Sequence, residues 1–169
     1  VWGRTFSSDR NRAATIQAEV VTGLTGALKT SVSPEEKALL ARTPTANAEA
    51  FDLFLRQREI LIKEGDYPAS MNQRMRLLEK AVVLDPGFVR AWAELVWMRR
   101  GTAGRPTAAR LAASKAALET LEKLAPQAPE TALARVGYLA RTVPPQQALA
   151  MYEKLAQEFP PSAGVLTHC

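Results

Sequence analysis

The sequence predicts an all-α protein built as a short solenoid of helical hairpins, and three observations support that prediction. Ala, Leu and Arg are the most frequent residues, which is typical of packed helices. Apolar residues recur every three or four positions over several windows. One pattern also occurs three times, as Leu78/Ala81/Pro86, Leu121/Leu124/Pro129 and Tyr152/Leu155/Pro160. Three copies indicate a repeat protein of about three irregular hairpins.

The amino-terminal segment predicts one helix before these hairpins. Residues 1–13 contain Trp2 and Phe6 among polar residues without a helical period, and they fit either an edge strand or a tail. From Thr15 to Lys29, an apolar residue recurs at every fourth position: Ile16, Val20, Leu24 and Leu28. This spacing predicts an amphipathic helix that packs on another element.

Two helix starts follow. Segment 33–36 (Ser-Pro-Glu-Glu) combines a capping serine, a proline at the first helical position and a glutamate three residues after the cap. That helix ends before Pro44, because the residue preceding a proline disfavours helix. Asn47 then caps a longer helix that ends near Glu64, at Gly65. Its apolar residues form two stripes, which predicts burial on two sides: Ala50, Leu53, Phe54, Ile60 and Leu61, and then Phe51, Leu55 and Ile62.

The rest of the chain alternates helices with stops. The sequence predicts helices over 71–84 and from about 91 to 97, separated by Asp85-Pro86-Gly87, and then a flexible loop over 101–106. Further helices are predicted from Pro106 or Thr107 to Leu124, over 130–141 and over 146–159. The apolar residues of the last helix are Ala148, Leu149, Tyr152 and Leu155. The tail 160–169 is either frayed or the start of a fourth repeat.

The charge is concentrated in the centre of the chain. Of a net charge of +5, the whole excess lies in residues 71–110, which contain eight basic and three acidic residues. Such a cluster indicates an acidic partner or nucleic acid, whereas arginines on helices are more often a solvated face. Binding of nucleic acid or an acidic partner through 71–110 is therefore the alternative function.

Composition excludes several classes of protein. The single cysteine, Cys169, allows no intramolecular disulfide. No apolar run is long enough for a membrane span, and the amino terminus has no signal-peptide pattern. We therefore expect a cytoplasmic protein. Because the chain begins with Val1 and stops abruptly after His168-Cys169, we expect it to be a segment of something longer.

No residues predict catalysis, a cofactor or a metal. His168 is the only histidine, and no nucleophile is paired with it in a recognisable motif. A structural zinc needs four ligands, and the chain contains one histidine and one cysteine. The glycine-containing segment 101–106 lacks the Lys-Ser/Thr of a phosphate-binding loop. We therefore expect a protein that is not an enzyme.

The hairpins resemble tetratricopeptide repeats. Trp92 fills the aromatic position of a first helix, and the second helices read Arg74/Leu78/Ala81/Pro86, Ala117/Leu121/Leu124/Pro129 and Ala148/Tyr152/Leu155/Pro160. The family pattern has alanine where Arg74 stands, and the prolines are 43 and 31 residues apart. The resemblance implies a right-handed α-solenoid over 33–169 that binds proteins or peptides.

A narrower resemblance covers residues 1–93. The segments that carry it are Val1-Trp2 with Asp9, 17–20 with Leu28, 33–36, 42–56 and 84–88. Together they resemble the junction between a TolB-like module and its tetratricopeptide array in bacterial regulators. In those regulators the array follows an adenylate-cyclase-type or winged-helix domain. The resemblance implies that residues 1–32 are the last strand and helix of a preceding module. Gln57 stands where that family usually has glycine.

A binding groove is the best candidate site. In a stacked array the first helix of each hairpin lines the concave side. The residues that this placement selects are Phe51, Phe54 and Arg58, then Arg90, Trp97 and Arg100, and then Arg135. Trp97 between two arginines is typical of an interface hot spot or of a clamp for the acidic end of a peptide. The equal alternative is that Trp97 packs under the loop 101–106.

These observations predict a non-enzymatic interaction scaffold that belongs to a larger bacterial regulator. Its partner would be a protein or peptide bound in the concave groove. An array without a polar end cap exposes an apolar end face, so a homo-oligomer is also expected.

Overall fold

The computed structural model describes residues 44–65, 67–100 and 107–159, and this part of the chain is all-α, as predicted. It contains helices α1 (Ala48–Glu64), α2 (Pro68–Leu84), α3 (Val89–Arg100), α4 (Ala108–Leu124), α5 (Pro129–Leu139) and α6 (Pro145–Glu158). No strand occurs in these ranges. The expected strand and helices before residue 44, the loop 101–106 and the tail 160–169 lie outside the described residues.

The chain divides into two compact units, Val1–Ala48 and Glu49–Cys169. All six helices lie in the second unit, apart from the first residue of α1. The boundary expected after residue 32 falls outside the described residues and stays a prediction.

Proline and hydroxyl side chains set the helix starts. Helices α2, α5 and α6 each have a proline in their first turn, where the missing N–H has no intrahelical partner to lose. At the start of α4, Thr107 Oγ1 accepts a hydrogen bond from the Arg110 N–H at 3.3 Å. Local chemistry therefore fixes where four of the six described helices begin.

The stop after α2 is a side-chain-supported turn. Asp85 Oδ1 accepts a hydrogen bond from the Gly87 N–H at 2.9 Å, and the Asp85 carbonyl accepts one from Phe88 at 3.1 Å. A similar backbone turn follows α4, where the Ala125 carbonyl accepts from the Ala128 N–H at 3.1 Å. Both turns redirect the chain within four residues. The two predicted stops are confirmed.

Helix α3 is the centre of the described packing. It contacts α2, α4 and α5, while α5 also contacts α4 and α6. Its buried side chains point to more than one side: Ala91, Ala93, Leu95, Val96 and Met98. From α2 to α6, each helix thus packs against the next one in the chain, and α3 also packs against α5. The right-handed solenoid itself stays a prediction.

Most helix positions of the recurrent pattern are buried, and the exceptions are Leu124 and the half-buried Tyr152. Leu78 and Ala81 on α2, Leu121 on α4 and Leu155 on α6 are all buried. Leu124, the second residue of the middle pattern, keeps 42% of its surface exposed because it is the last residue of α4. On α6, Leu149 is 60% exposed although its period predicted burial.

The prediction that α1 is buried on two sides is wrong for part of one stripe. Phe51 and Phe54 are buried, but Leu55 is 45% and Ile62 is 80% exposed. Gln57, a polar residue, is fully buried on this helix instead. The buried face of α1 is thus narrower than its two apolar stripes predict, and it includes the side-chain amide of Gln57.

Candidate functional site

The aromatic residues expected on the groove side of α1 contribute to the core. Phe54 packs against Phe88, the residue before α3, with ring centroids 5.2 Å apart and ring planes tilted by 50°. Phe51 is buried as well. The guanidinium of Arg90 lies over the Phe54 ring, 5.6 Å from its centroid. The side chain that reaches the surface here is therefore Arg90, which is half-buried on an aromatic face.

Two of the expected site arginines join neighbouring helices through ion pairs. Arg58 on α1 lies 3.5 Å from Glu94 on α3, and Arg135 on α5 lies 2.7 Å from Glu122 on α4. Partly exposed pairs of this kind contribute about 0–1 kcal/mol each. They hold the guanidinium groups in place at the surface, where a partner's carboxylate can compete with the glutamate.

Trp97 packs against a glycine of the neighbouring helix. A Cβ atom built on Gly137 of α5 would lie 2.7 Å from both Cη2 and Cζ2 of the Trp97 indole. The indole also packs on the buried pair Leu133 and Leu155. Trp97 is half-buried, so it serves both as a packing residue between α3 and α5 and as part of the surface. Its relation to the loop 101–106 lies outside the described residues.

Arg100 stacks on the Trp97 indole. Its guanidinium lies 3.8 Å from the centroid of the Trp97 ring, and Nη1 donates a hydrogen bond to the Gly137 carbonyl. Burial is the main cause that lowers the Arg100 pKa. Interaction with Tyr152 opposes this shift, and the Arg141 charge adds to it. Arginine nevertheless remains cationic at neutral pH. The result is a half-buried positive charge beside Gly137 of α5.

The described basic residues of 71–110 differ in their burial and in their partners. Arg74 is buried on α2, where its Nε donates to Gln57 Oε1 at 3.3 Å. Arg99 pairs with Glu79 at 3.2 Å. The exposed basic residues of this region that the structure describes are Arg76, Lys80 and Arg110.

Sequence reasoning missed the contacts of Gly137 and Tyr152. Gly137 is a lone glycine within a helical pattern, which costs about 1 kcal/mol relative to alanine and therefore signals a packing reason. Tyr152 carried no such signal, because only the packing of α6 on α5 brings it into the cluster that also contains Trp97.

The described residues contain no group of three or more His, Cys, Asp or Glu side chains arranged to hold a metal ion. His168 and Cys169 lie outside this part of the chain. None of the helices described here is both long and apolar enough to cross a membrane. The chain matches no protein-family model, no curated protein and no solved structure.

Proposed function

We propose that the chain is a non-enzymatic scaffold of tetratricopeptide type, a segment of a larger bacterial regulator, which binds a protein or peptide. Binding uses the surface of α1, α3 and α5, which we call the odd-helix surface and define by Arg58, Arg90, Trp97, Arg100 and Arg135. One observation carries the proposal: on these alternate helices, arginines are held half-buried on aromatic rings or beside single carboxylates.

Such arginines suit recognition of a protein. A guanidinium stacked on an aromatic ring is already partly dehydrated and restricted in its rotamers, so binding loses less entropy and less hydration there. Arginine and tryptophan are also the residue types that most often dominate interface energetics. The pairs Arg90 with Phe54 and Arg100 with Trp97 have this composition.

The even helices differ in character. On α4 the charged face contains Lys115 and Glu119, an exposed pair one helical turn apart, and on α6 Lys154 and Glu158 are arranged in the same way. Pairs with this spacing are typical of solvated helix surfaces and contribute a few tenths of a kcal/mol each. They provide no aromatic or desolvated anchor, which favours the odd helices as the binding side.

The alternative partner, nucleic acid at 71–110, has weaker support. Phosphate binding needs several cations that are exposed together. In this region Arg74 is buried and Arg99 is paired with Glu79. The exposed cations Arg76 and Lys80 lie on α2, and Arg110 lies on α4.

A peptide-display selection against the 169-residue chain tests the proposal. We expect it to enrich peptides with acidic and apolar residues, whose affinity survives high salt because part of the contact is apolar. Single-stranded and duplex oligonucleotides, titrated in parallel, are expected to bind weakly and to dissociate as salt rises. Failure to enrich any peptide, together with tight oligonucleotide binding that falls steeply with salt, would replace the proposal by the nucleic-acid function.

A further inference from the structure

Helix α1 repeats one arrangement of side chains after seven residues. An acidic, an apolar and a basic residue occur in the same spacing twice, and we call these six residues the heptad face: Asp52, Leu55, Arg56, Glu59, Ile62 and Lys63. Because seven residues make nearly two helical turns, both sets lie on one side of α1. The buried Ala50, Phe54 and Gln57 lie on the opposite side. A period of seven residues is typical of helices that pair along their length.

The apolar members of the heptad face are exposed. Ile62 keeps 80% and Leu55 keeps 45% of its surface exposed. None of the other described helices has two exposed large apolar side chains seven residues apart. Single exposed apolar residues are common on monomeric proteins, whereas a stripe of them along one helix is typical of an interaction surface. The heptad face is therefore a candidate interface.

The charged members indicate what covers this face. Asp52 pairs with Arg56 at 2.8 Å and Glu59 pairs with Lys63 at 2.6 Å, so the charge alternates in sign along α1. A copy of the helix turned by 180° presents the reverse order, so Asp52 meets Lys63 and Arg56 meets Glu59. A parallel copy in register would instead place like charges side by side. The described pairs of this spacing on α4 and α6 occur once each and do not alternate.

We propose that the heptad face binds a second copy of this chain, with the two α1 helices antiparallel. Leu55 of each copy then lies near Ile62 of the other, and the charges of each helix face opposite charges across the interface. A two-fold axis relates the copies, so the association closes as a dimer. Because the contact area is small, the dimer is reversible and its dissociation constant is micromolar. This inference does not rest on the proposed peptide binding.

Sedimentation equilibrium of the 169-residue chain at about 2 to 200 μM tests the dimer. We expect a monomer–dimer equilibrium. Ile62→Glu places a carboxylate in the apolar contact and should weaken dimerisation about tenfold or more. The matched control is Val83→Glu, since Val83 on α2 is 78% exposed, and it should associate as the wild type does. Circular dichroism checks that both variants keep the wild-type helix content and melting temperature.

Charge reversal tests the antiparallel arrangement. Arg56→Glu and Glu59→Arg, both at exposed positions, each place like charges across the two-fold axis. Each variant alone should therefore dimerise about tenfold more weakly than the wild type. An equimolar mixture of the two should recover the association, because the two changed positions face each other in the mixed dimer. Recovery in the mixture also shows that neither variant is misfolded.

Three results would overturn the inference: a chain that stays monomeric over the whole concentration range, a dimer that Ile62→Glu and Val83→Glu affect equally, and a mixture that does not recover association. Peptide binding is measured separately. A monomeric chain that binds selected peptides removes only the dimer. A dimer for which no peptide is selected removes only the proposed function.

Discussion

At the scale of single residues, the contact of Trp97 with Gly137 decides what a substitution at either position does. The indole occupies the volume that a side chain at 137 would need. The surface role and the packing role of Trp97 are therefore linked. Trp97→Ala is a poor test of binding, because removing a packed tryptophan costs up to about 3–5 kcal/mol of stability.

Gly137→Ala is expected to lower the free energy of unfolding by about 1–3 kcal/mol, because the new methyl group must displace the indole. An open helical glycine would instead gain up to about 1 kcal/mol from the same change. Urea denaturation measures the sign. In a Trp97→Leu background, which lacks Cη2 and Cζ2, the change should become neutral or stabilising. Stabilisation in the wild-type background would contradict the contact.

The buried pair Arg74 and Gln57 makes a second residue-scale prediction. Arg74→Ala restores the residue type of the other repeats. It also removes the Arg74 donor from the side-chain amide oxygen of the fully buried Gln57. We expect it to cost about 1–3 kcal/mol. Combined with Gln57→Ala, the loss should be smaller than the sum by about 0.5–3 kcal/mol. Strictly additive losses in urea denaturation would show that the two side chains act independently; Arg76→Ala with Gln57→Ala provides the additive reference.

The same pair shows how far the sequence predicts single residues. Arg74 and Gln57 each depart from the repeat pattern, and those departures are visible in the sequence alone. The sequence does not show that Arg74 and Gln57 compensate each other. Their hydrogen bond joins residues 17 positions apart and depends on how α1 lies against α2. Leu78 and Ala81, by contrast, follow the helical period, which predicts their burial directly.

At the scale of elements, the sequence predicts all six described helices, with errors only at their ends. The predicted starts of α2 and α3 are late by two or three residues. At α2 the error arises because a proline usually indicates a loop, whereas Pro68 lies in the first turn of the helix, where proline is also favoured. Periodicity cannot tell whether a neighbour covers an apolar stripe, which is why Ile62 and Leu149 were misjudged.

Helix α2 allows a matched test of which face packs. Ala81 is fully buried, whereas Val83, two residues further, is 78% exposed. Ala81→Arg is expected to cost several kcal/mol because it places a charge in the core, and Val83→Arg should change stability by less than about 0.5 kcal/mol. Thermal unfolding followed by circular dichroism compares them. Similar melting of the two variants would contradict the packing of α2.

At the scale of the whole molecule, a count of charged residues does not show which cations are buried, paired or stacked on rings. The excess of cations in 71–110 indicates a basic patch, yet burial, ion pairs and aromatic contacts divide these residues among different roles. Side-chain pairing across helices depends on packing, which composition does not encode. The interaction scaffold and its resemblance to tetratricopeptide repeats therefore stay proposals that binding experiments test.

The most direct test of the central claim compares two arginine variants against one selected peptide. Arg90→Ala removes the cation over Phe54 on the odd-helix surface, and Arg76→Ala removes an exposed cation on α2. Titration calorimetry should show about tenfold weaker binding for Arg90→Ala and an unchanged affinity for Arg76→Ala. An unchanged affinity for Arg90→Ala together with a loss for Arg76→Ala would place the binding surface on the even helices and contradict the account.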